Sequence, residues 1–333
     1  MEQTVYIGTY TDAISRGIYR FAFYKGDLRL LGCIEETNPS YVIVQGDMLY
    51  SVRETRDGSI VSYQLQKDGI HTLVGQQKCL GDAPCHLHLD GAYLYASNYS
   101  SGSLAQFSLD EQLRVKEPPT LFSHVGHSVH PSRQAGPHVH FSATTPDGQF
   151  LAVCDLGLDQ VVFYRRTPDG VVSDNAERVH LQPGFGPRHA VFGDHGIRYL
   201  ICELSCKLIV FQGFGVRAKP VQEFTLDQFP DSFSSGAAVK MSPDRKCLLA
   251  SVRGTNSLTL FSIGSDGRLE PRTITGSRGD WPRDAAFSPC SKYVLCACER
   301  SDSLSIFKLT NCDLVFIKSF SVPSPACICF ATV

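Results

Sequence analysis

One short pattern recurs seven times along this chain: an apolar run, a polar turn, then a second run of alternating character. The copies read YIGTYTDAISRGIYRF, LYSVRETRDGSIVSY, LYASNYSSGSLAQF, LAVCDLGLDQVVFY, LICELSCKLIVF, LLASVRGTNSLTLF and VLCACERSDSLSIF. Aligned on one another, they place a single polar column at Thr9, Arg53, Asn98, Asp155, Glu203, Arg253 and Glu299, with steps of 44, 45, 57, 48, 50 and 46 residues. A period of roughly 40–50 residues with several strands per unit specifies a β-propeller. The expected fold is therefore all-β: a seven-bladed β-propeller with four antiparallel strands per blade. Blades of this length use up nearly all 333 residues, so the expectation is one domain over 1–333.

A proline precedes most of the blades: Pro39, Pro84, Pro137, Pro187, Pro282 and Pro325, with Ser235-Gly236 filling the slot in the sixth. Proline has no N–H to give to a ladder, and it pushes the preceding residue toward extended geometry, so each marks a strand entrance. Turn formers follow at 145–149 (TPDGQ), 242–246 (SPDRK) and 288–292 (SPCSK). Each blade reads as strand A after the proline, then B, C and D. Residues 325–333 have the character of a strand A with nothing after it, and residues 4–10 that of a strand B with nothing before it. Pairing them closes the ring and removes two exposed edges.

In an antiparallel meander the start of A and the end of B lie at the same end of the blade. Residues after the prolines and residues of the polar column should therefore meet around one mouth of the central channel. The A side supplies Cys85, His86, His138, His140, Arg188, His189, Arg283 and Asp284. The B side supplies Arg53, Asn98, Asp155, Glu203, Arg253, Glu299 and Arg300. The insertion FSHVGHSVHPSRQAGP at 122–137 accounts for the 57-residue step and lands at the same mouth. Imidazole, guanidinium and carboxylate together can hold an anionic small molecule and move protons. His138-x-His140 and His86-x-His88 invite a metal, since alternate strand residues share a face, but no compact carboxylate set completes a sphere, and no metal is expected. The Cys296-x-Cys298 and Cys327-x-Cys329 pairs fall in central strands, where cysteine serves as a small apolar residue. Serine-elbow, Walker and dinucleotide-binding motifs are absent.

Thirty-one basic residues against 33 acidic ones give a net charge of −2 with no basic run, which argues against nucleic acid or an anionic membrane as partner. The first residues carry no apolar segment of a secretory leader, and 13 scattered cysteines suit a reducing cytoplasm. A closed ring needs no partner, so a monomer is expected.

These stretches resemble the 6-phosphogluconolactonase/carboxymuconate-cyclase family of seven-bladed propellers. The resemblance rests on YIGTYT (6–11) followed by GIYRF, NPSYV (38–42), APCHLHLD (83–90), SVHPSRQAGPHVH (128–140), CDLGLDQVVFY (154–164), GFGPRHAVF (184–192), SVRGTNSL (251–258) and WPRDAAFSP (281–289). It implies hydrolysis of a phosphorylated sugar lactone without a cofactor. It also implies an active face at His140 (with His138 beside it), Arg188, Glu203 and Arg253. Cys298-Glu299-Arg300 departs from the Ala-Asn-Gln usual there. The expected mechanism is water attack on C1 of a δ-lactone, with His140 or Glu203 taking the proton and Arg188 or Arg253 facing the oxyanion. Substrate binding falls to His138, His86, Arg53, Asn98, Asp155, His189, Arg283 and Arg300, of which Arg53, Arg283 and Arg300 would hold a phosphate or carboxylate. The competing expectations are a muconolactone-type cyclase, a metal-dependent lactonase and a non-catalytic scaffold; the lone Trp281 disfavours a scaffold of the Trp-Asp type.

Overall fold

The computed structural model describes residues 2–66, 71–116, 118–227, 233–311 and 313–331. They form seven separate four-stranded antiparallel sheets. Blades two to seven each take four consecutive strands; blade three, for example, runs Pro84–Asp90, Tyr93–Asn98, Ser103–Ser108 and Thr120–Ser123. The first blade joins Pro325–Phe330 to Gln3–Thr9, with Val5 opposite Phe330 and Tyr6 opposite Cys329. The two chain ends thus close the ring, as the unpaired strands at either end of the sequence required. The closing strand stops at Phe330, and residues 332–333 of the expected segment lie outside the described residues.

The burial of each strand follows from its place in the blade. Strands B and C are covered on both faces by neighbouring blades and are buried over most of their length; Ile197–Cys202 is buried at every position, Arg198 included. Outer strands are mostly exposed or partly covered; in Leu269–Gly276 only Leu269 is buried. The apolar side chains gather into seven clusters, one per blade-to-blade junction. The innermost A strands touch one another in a closed cycle around the axis. Among the described residues helix is confined to two 3₁₀ turns, Gly215–Arg217 and Glu299–Ser301, and no helix is long and apolar enough to cross a membrane.

Two backbone irregularities recur at the mouth. The first is an extra residue in the inner strand. Pro84 pairs with Asn98 and His86 with Ser97, which leaves Cys85 outside the ladder. The same step isolates His140, Arg188, Arg283 and Ala326. Such a bulge bends the strand and re-aims the unpaired side chain.

The second irregularity corrects the sequence reading. Five of the six residues before the prolines, all but Gly136, are left-handed rather than extended: Asn38, Ala83, Gly186, Trp281 and Ser324 have φ of +42°, +52°, +62°, +63° and +42°. This left-handed turn presents each carbonyl to the N–H of a residue at the end of strand B. Tyr10, Glu54, Tyr99, Glu203 and Glu299 donate to Ser324, Asn38, Ala83, Gly186 and Trp281 at 3.1, 3.0, 2.9, 2.7 and 3.1 Å. A non-glycine residue pays for this conformation with roughly 1–2 kcal/mol of Cβ crowding. Ala83→Gly is accordingly expected to leave the fold intact and to stabilise it by up to about 1 kcal/mol, after the entropy glycine adds to the unfolded chain. Urea unfolding measures this; a clear destabilisation would refute the strain at Ala83.

Candidate active site

The repeated backbone bond shows that the polar column of the aligned repeats is out of step by one residue. Asn98 pairs with Pro84 in blade three, but in blades five and seven Cys202 and Cys298 occupy that rung opposite Pro187 and Pro282. The structural equivalents of Glu203 and Glu299 are therefore Tyr99, Glu54 and Tyr10, each one position beyond the expected column.

Tyr10, Glu54, Tyr99 and Glu203, with the bulged Cys85, His140 and Arg283, line a cavity of about 250 Å³ at the mouth, whose wall is completed by Arg133 and Arg253. Beneath it a void of about 10 Å³, room for a single water, lies among Tyr41, His189, Asp284 and the inner faces of His140, Arg188 and Arg283.

Glu203 anchors one side. Its Oε1 takes Arg133 of the long insertion. Its Oε2 lies 2.9 Å from Arg188 Nε and 2.7 Å from Arg253 Nη2. The Arg188 contact is ionic rather than a hydrogen bond, since that Nε has no aligned acceptor. Arg188 Nη1 donates to the Ala237 carbonyl at 2.6 Å. Burial alone would raise the Glu203 pKa, but Arg253, Arg188 and Arg133 overcome it and hold the carboxyl well below the usual range. Burial, with Arg253 beside it, pushes Arg188 down to about 10, so it stays charged at neutral pH.

His140 stands next to this node. Burial first, then Arg188, drives its pKa well below the usual value, so the imidazole is neutral, and its buried Nδ1 has no partner. Its ring meets Tyr99 edge-on at 5.6 Å and His189 at 5.1 Å. His189 and His86 continue the stack down the channel at 5.6 Å, both held neutral by burial.

The opposite side is a second chain of polar groups. Arg283 donates to Tyr10 Oη, and Tyr10 donates to Glu54 Oε2 at 2.8 Å. Arg283 also lies 3.5 Å from Glu299. Burial works against the Arg283 charge, but Tyr10, Glu299, Glu54 and Glu203 raise its pKa on balance.

Of the expected site residues, the structure brings His140, Glu203, Arg253 and Arg283 to the cavity wall, with Arg188, His189 and His86 beneath it. The others are engaged elsewhere. Arg53 is claimed by Glu36, at 2.5 and 3.0 Å, in a group that includes Tyr63. Asn98 is fully buried and donates to Ser103 Oγ and the Cys79 carbonyl. Asp155 accepts from the His138 and Leu158 amides and lies 2.6 Å from His124 Nδ1, so it fastens the long insertion. Arg300 sits over Trp281, with Cζ 3.4 Å from the ring centroid. His138 does not join His140: the bulge between them breaks strand alternation, and His138 stacks on Tyr99 at 4.3 Å with Nδ1 against that residue's carbonyl. Among the described residues no three His, Cys, Asp or Glu side chains gather as a metal site.

Sequence reasoning passed over Tyr10, Glu54, Tyr99 and Arg133. Three of them follow the aligned column by one residue, and Arg133 sits in the HPSRQ stretch that was singled out as a whole.

Glu203→Gln leaves three guanidiniums without their counter-charge and is expected to cost about 3–5 kcal/mol at pH 7. The folded-state pKa of Glu203 is depressed, so its contribution is present above the unfolded value of about 4.3 and is lost as pH falls below that toward the folded value. The stability gap between wild type and variant should therefore narrow from pH 7 to pH 3.5 in urea titrations. A constant gap would contradict the ion-pair account.

The family model "Lactonase, 7-bladed beta-propeller" matches residues 4–330. A 6-phosphogluconolactonase of Bacillus subtilis is 29% identical over 98% of this chain and 97% of its own length. One from Formosa agariphila is 31% identical over 91% and 92%. The solved structure of a periplasmic gluconolactonase from Pseudomonas aeruginosa superposes with a TM-score of 0.93 at 31% identity, covering 100% of both chains. With its seven closed blades and this arginine-rich mouth, the chain belongs to the seven-bladed β-propeller lactonase family.

Proposed function

We propose that this lactonase hydrolyses 6-phosphoglucono-δ-lactone to 6-phosphogluconate, in the oxidative part of the pentose phosphate pathway. It would act without a metal, as a cytoplasmic monomer. The observation that carries the reading is the composition of the cavity wall: Arg133, Arg253 and Arg283 against Glu54 and Glu203, with Arg188 directly behind. A site of that sign favours an anionic substrate and an oxyanion over a neutral or cationic ligand. The names of the Bacillus and Formosa relatives point the same way.

The reaction is base-assisted attack of water on C1. A guanidinium aimed at the developing oxyanion, from Arg253 or Arg188, would contribute about 2–4 kcal/mol. The neutral imidazole of His140 offers a lone pair or an N–H to the attacking water or the substrate. Sugar lactones already open in water, so this set needs to supply only a modest acceleration, and no covalent nucleophile is required.

The direct test is hydrolysis of freshly generated 6-phosphoglucono-δ-lactone beside unphosphorylated glucono-δ-lactone and a buffer blank, with and without EDTA. Hydrolysis faster on the phosphorylated lactone and insensitive to EDTA is the expected result. Preference for the unphosphorylated lactone would move the substrate toward that of the Pseudomonas relative. No rate above the blank would remove the assignment. His140→Ala and Arg253→Ala should each lower kcat/KM by more than about tenfold, or over 1.4 kcal/mol of transition-state stabilisation, with unchanged circular dichroism. Near-wild-type rates in both would remove these residues from the mechanism.

A further inference from the structure

The cavity holds two carboxylates, and their surroundings differ sharply. Both oxygens of Glu203 are occupied by guanidinium groups from Arg133, Arg188 and Arg253. A proton arriving there would have to displace those contacts. Glu54 faces the cavity from the other side with one oxygen committed: Oε2 accepts from Tyr10 Oη at 2.8 Å and from Ser40 Oγ. Its Oε1 accepts no hydrogen bond among the described residues and is not among the buried unpartnered atoms. The backbone N–H of Glu54 is pinned to the Asn38 carbonyl at 3.0 Å, so the side chain leaves from a fixed point.

Charge also separates Glu54 from His140. A proton placed on His140 would create a cation beside Arg188 and Arg283, in a buried site. A proton placed on Glu54 removes a charge instead. Burial keeps Tyr10 protonated, so its hydroxyl stays a donor to Oε2 and leaves Oε1 as the oxygen free to accept a proton.

We infer that Glu54 is the general base of this lactonase, a role that rests on the hydrolytic reading above, with Tyr10 and Ser40 as positioning residues. As the oxygen of water bonds to C1, its proton passes to Glu54 Oε1 and the carbonyl π pair moves to the oxygen facing the guanidiniums. On collapse the C1–ring-oxygen bond breaks and its electron pair goes to the ring oxygen, which takes the proton from Glu54. The product is the open hydroxy acid, which ionises to solvent, and Glu54 returns as carboxylate. Glu203 stays ionised throughout and holds the arginines in place.

The test uses the full chain and whichever lactone the wild type turns over fastest. Glu54→Gln keeps an acceptor for Tyr10 and Ser40 while removing the basic oxygen. It should lower kcat by about 10²–10⁴-fold, the usual contribution of a positioned base, with KM within about threefold. Glu54→Ala should be equally slow and should regain at least tenfold in rate with added formate or azide, after subtraction of the formate- or azide-catalysed blank. His140→Ala should show no such rescue. A purely structural role for Glu54 would not respond to small external bases. Retention of more than about a third of kcat in Glu54→Gln overturns the inference, as does loss without rescue in Glu54→Ala when thermal unfolding shows it folded. If the wild type hydrolyses no lactone, the functional reading and the base fall together. If the wild type is active and Glu54→Gln is too, only the base falls.

Discussion

A single buried carboxylate holds the mouth of this propeller together. Glu203 draws Arg188 from its own blade, Arg253 from the next and Arg133 from the long insertion onto two oxygens. Without it, three guanidiniums would face one another in a site largely shielded from water, at a cost the seven apolar junctions could not easily absorb. With it, the same charges become fixed partners for an anion, set before substrate arrives. The rest of the insertion is tied down in a similar manner. Asp159 accepts from Ser128 Oγ at 2.6 Å and from the Gly184 and Gly186 amides at 2.7 and 2.6 Å, and Gln134 donates to the Leu156 carbonyl at 2.9 Å. The loop that delivers Arg133 is therefore a fitted part of the ring.

The backbone prepares the positions that these charges occupy. A left-handed residue before five of the six prolines turns a carbonyl to receive the N–H at the end of strand B, and the residue so held points its side chain at the cavity in blades one, two, three and five. Beside it, the extra residue of strand A is released from the ladder and turned inward. Local strain at Ala83, Asn38, Trp281 and Ser324 is offset by the cooperative pairing on either side, a common arrangement near functional sites.

The period, the prolines and the two unmatched terminal strands were enough to read the ring and its closure from sequence, because each of these is a local signal. The gathering of His140, Arg188, Glu203 and Arg253 also followed, from meander geometry and from the family resemblance. The misplaced residues have separate physical reasons. Aligning copies on the apolar run of strand B set Asn98 against Glu203, yet the partners in strand C, Ser103 opposite Asn98 and Lys207 opposite Cys202, show that Tyr99 is the equivalent of Glu203. His138 and His140 were expected on one face, but alternation holds only in an unbroken ladder, and the unpaired residue of strand A, which no local pattern announces, breaks it. Arg53 was lost to Glu36, a residue 17 positions earlier, whose inward turn depends on packing between the first two blades.

The released residues of the inner strands have one more property. Cys85, His140, Arg188, Arg283 and Ala326 make no rung of their own, and their side chains end at the axis rather than between blades. Exchanging one of them alters the lining of the channel while the hydrogen-bond registers and the seven apolar junctions keep their own determinants. Chemical identity and architectural stability are thereby carried by different atoms of the same strand. A lineage, or an engineer, could re-dress the axis of this ring for another small molecule one blade at a time, keeping the apolar junctions and replacing only the polar bridges that Arg188 and Arg283 make to the neighbouring blades.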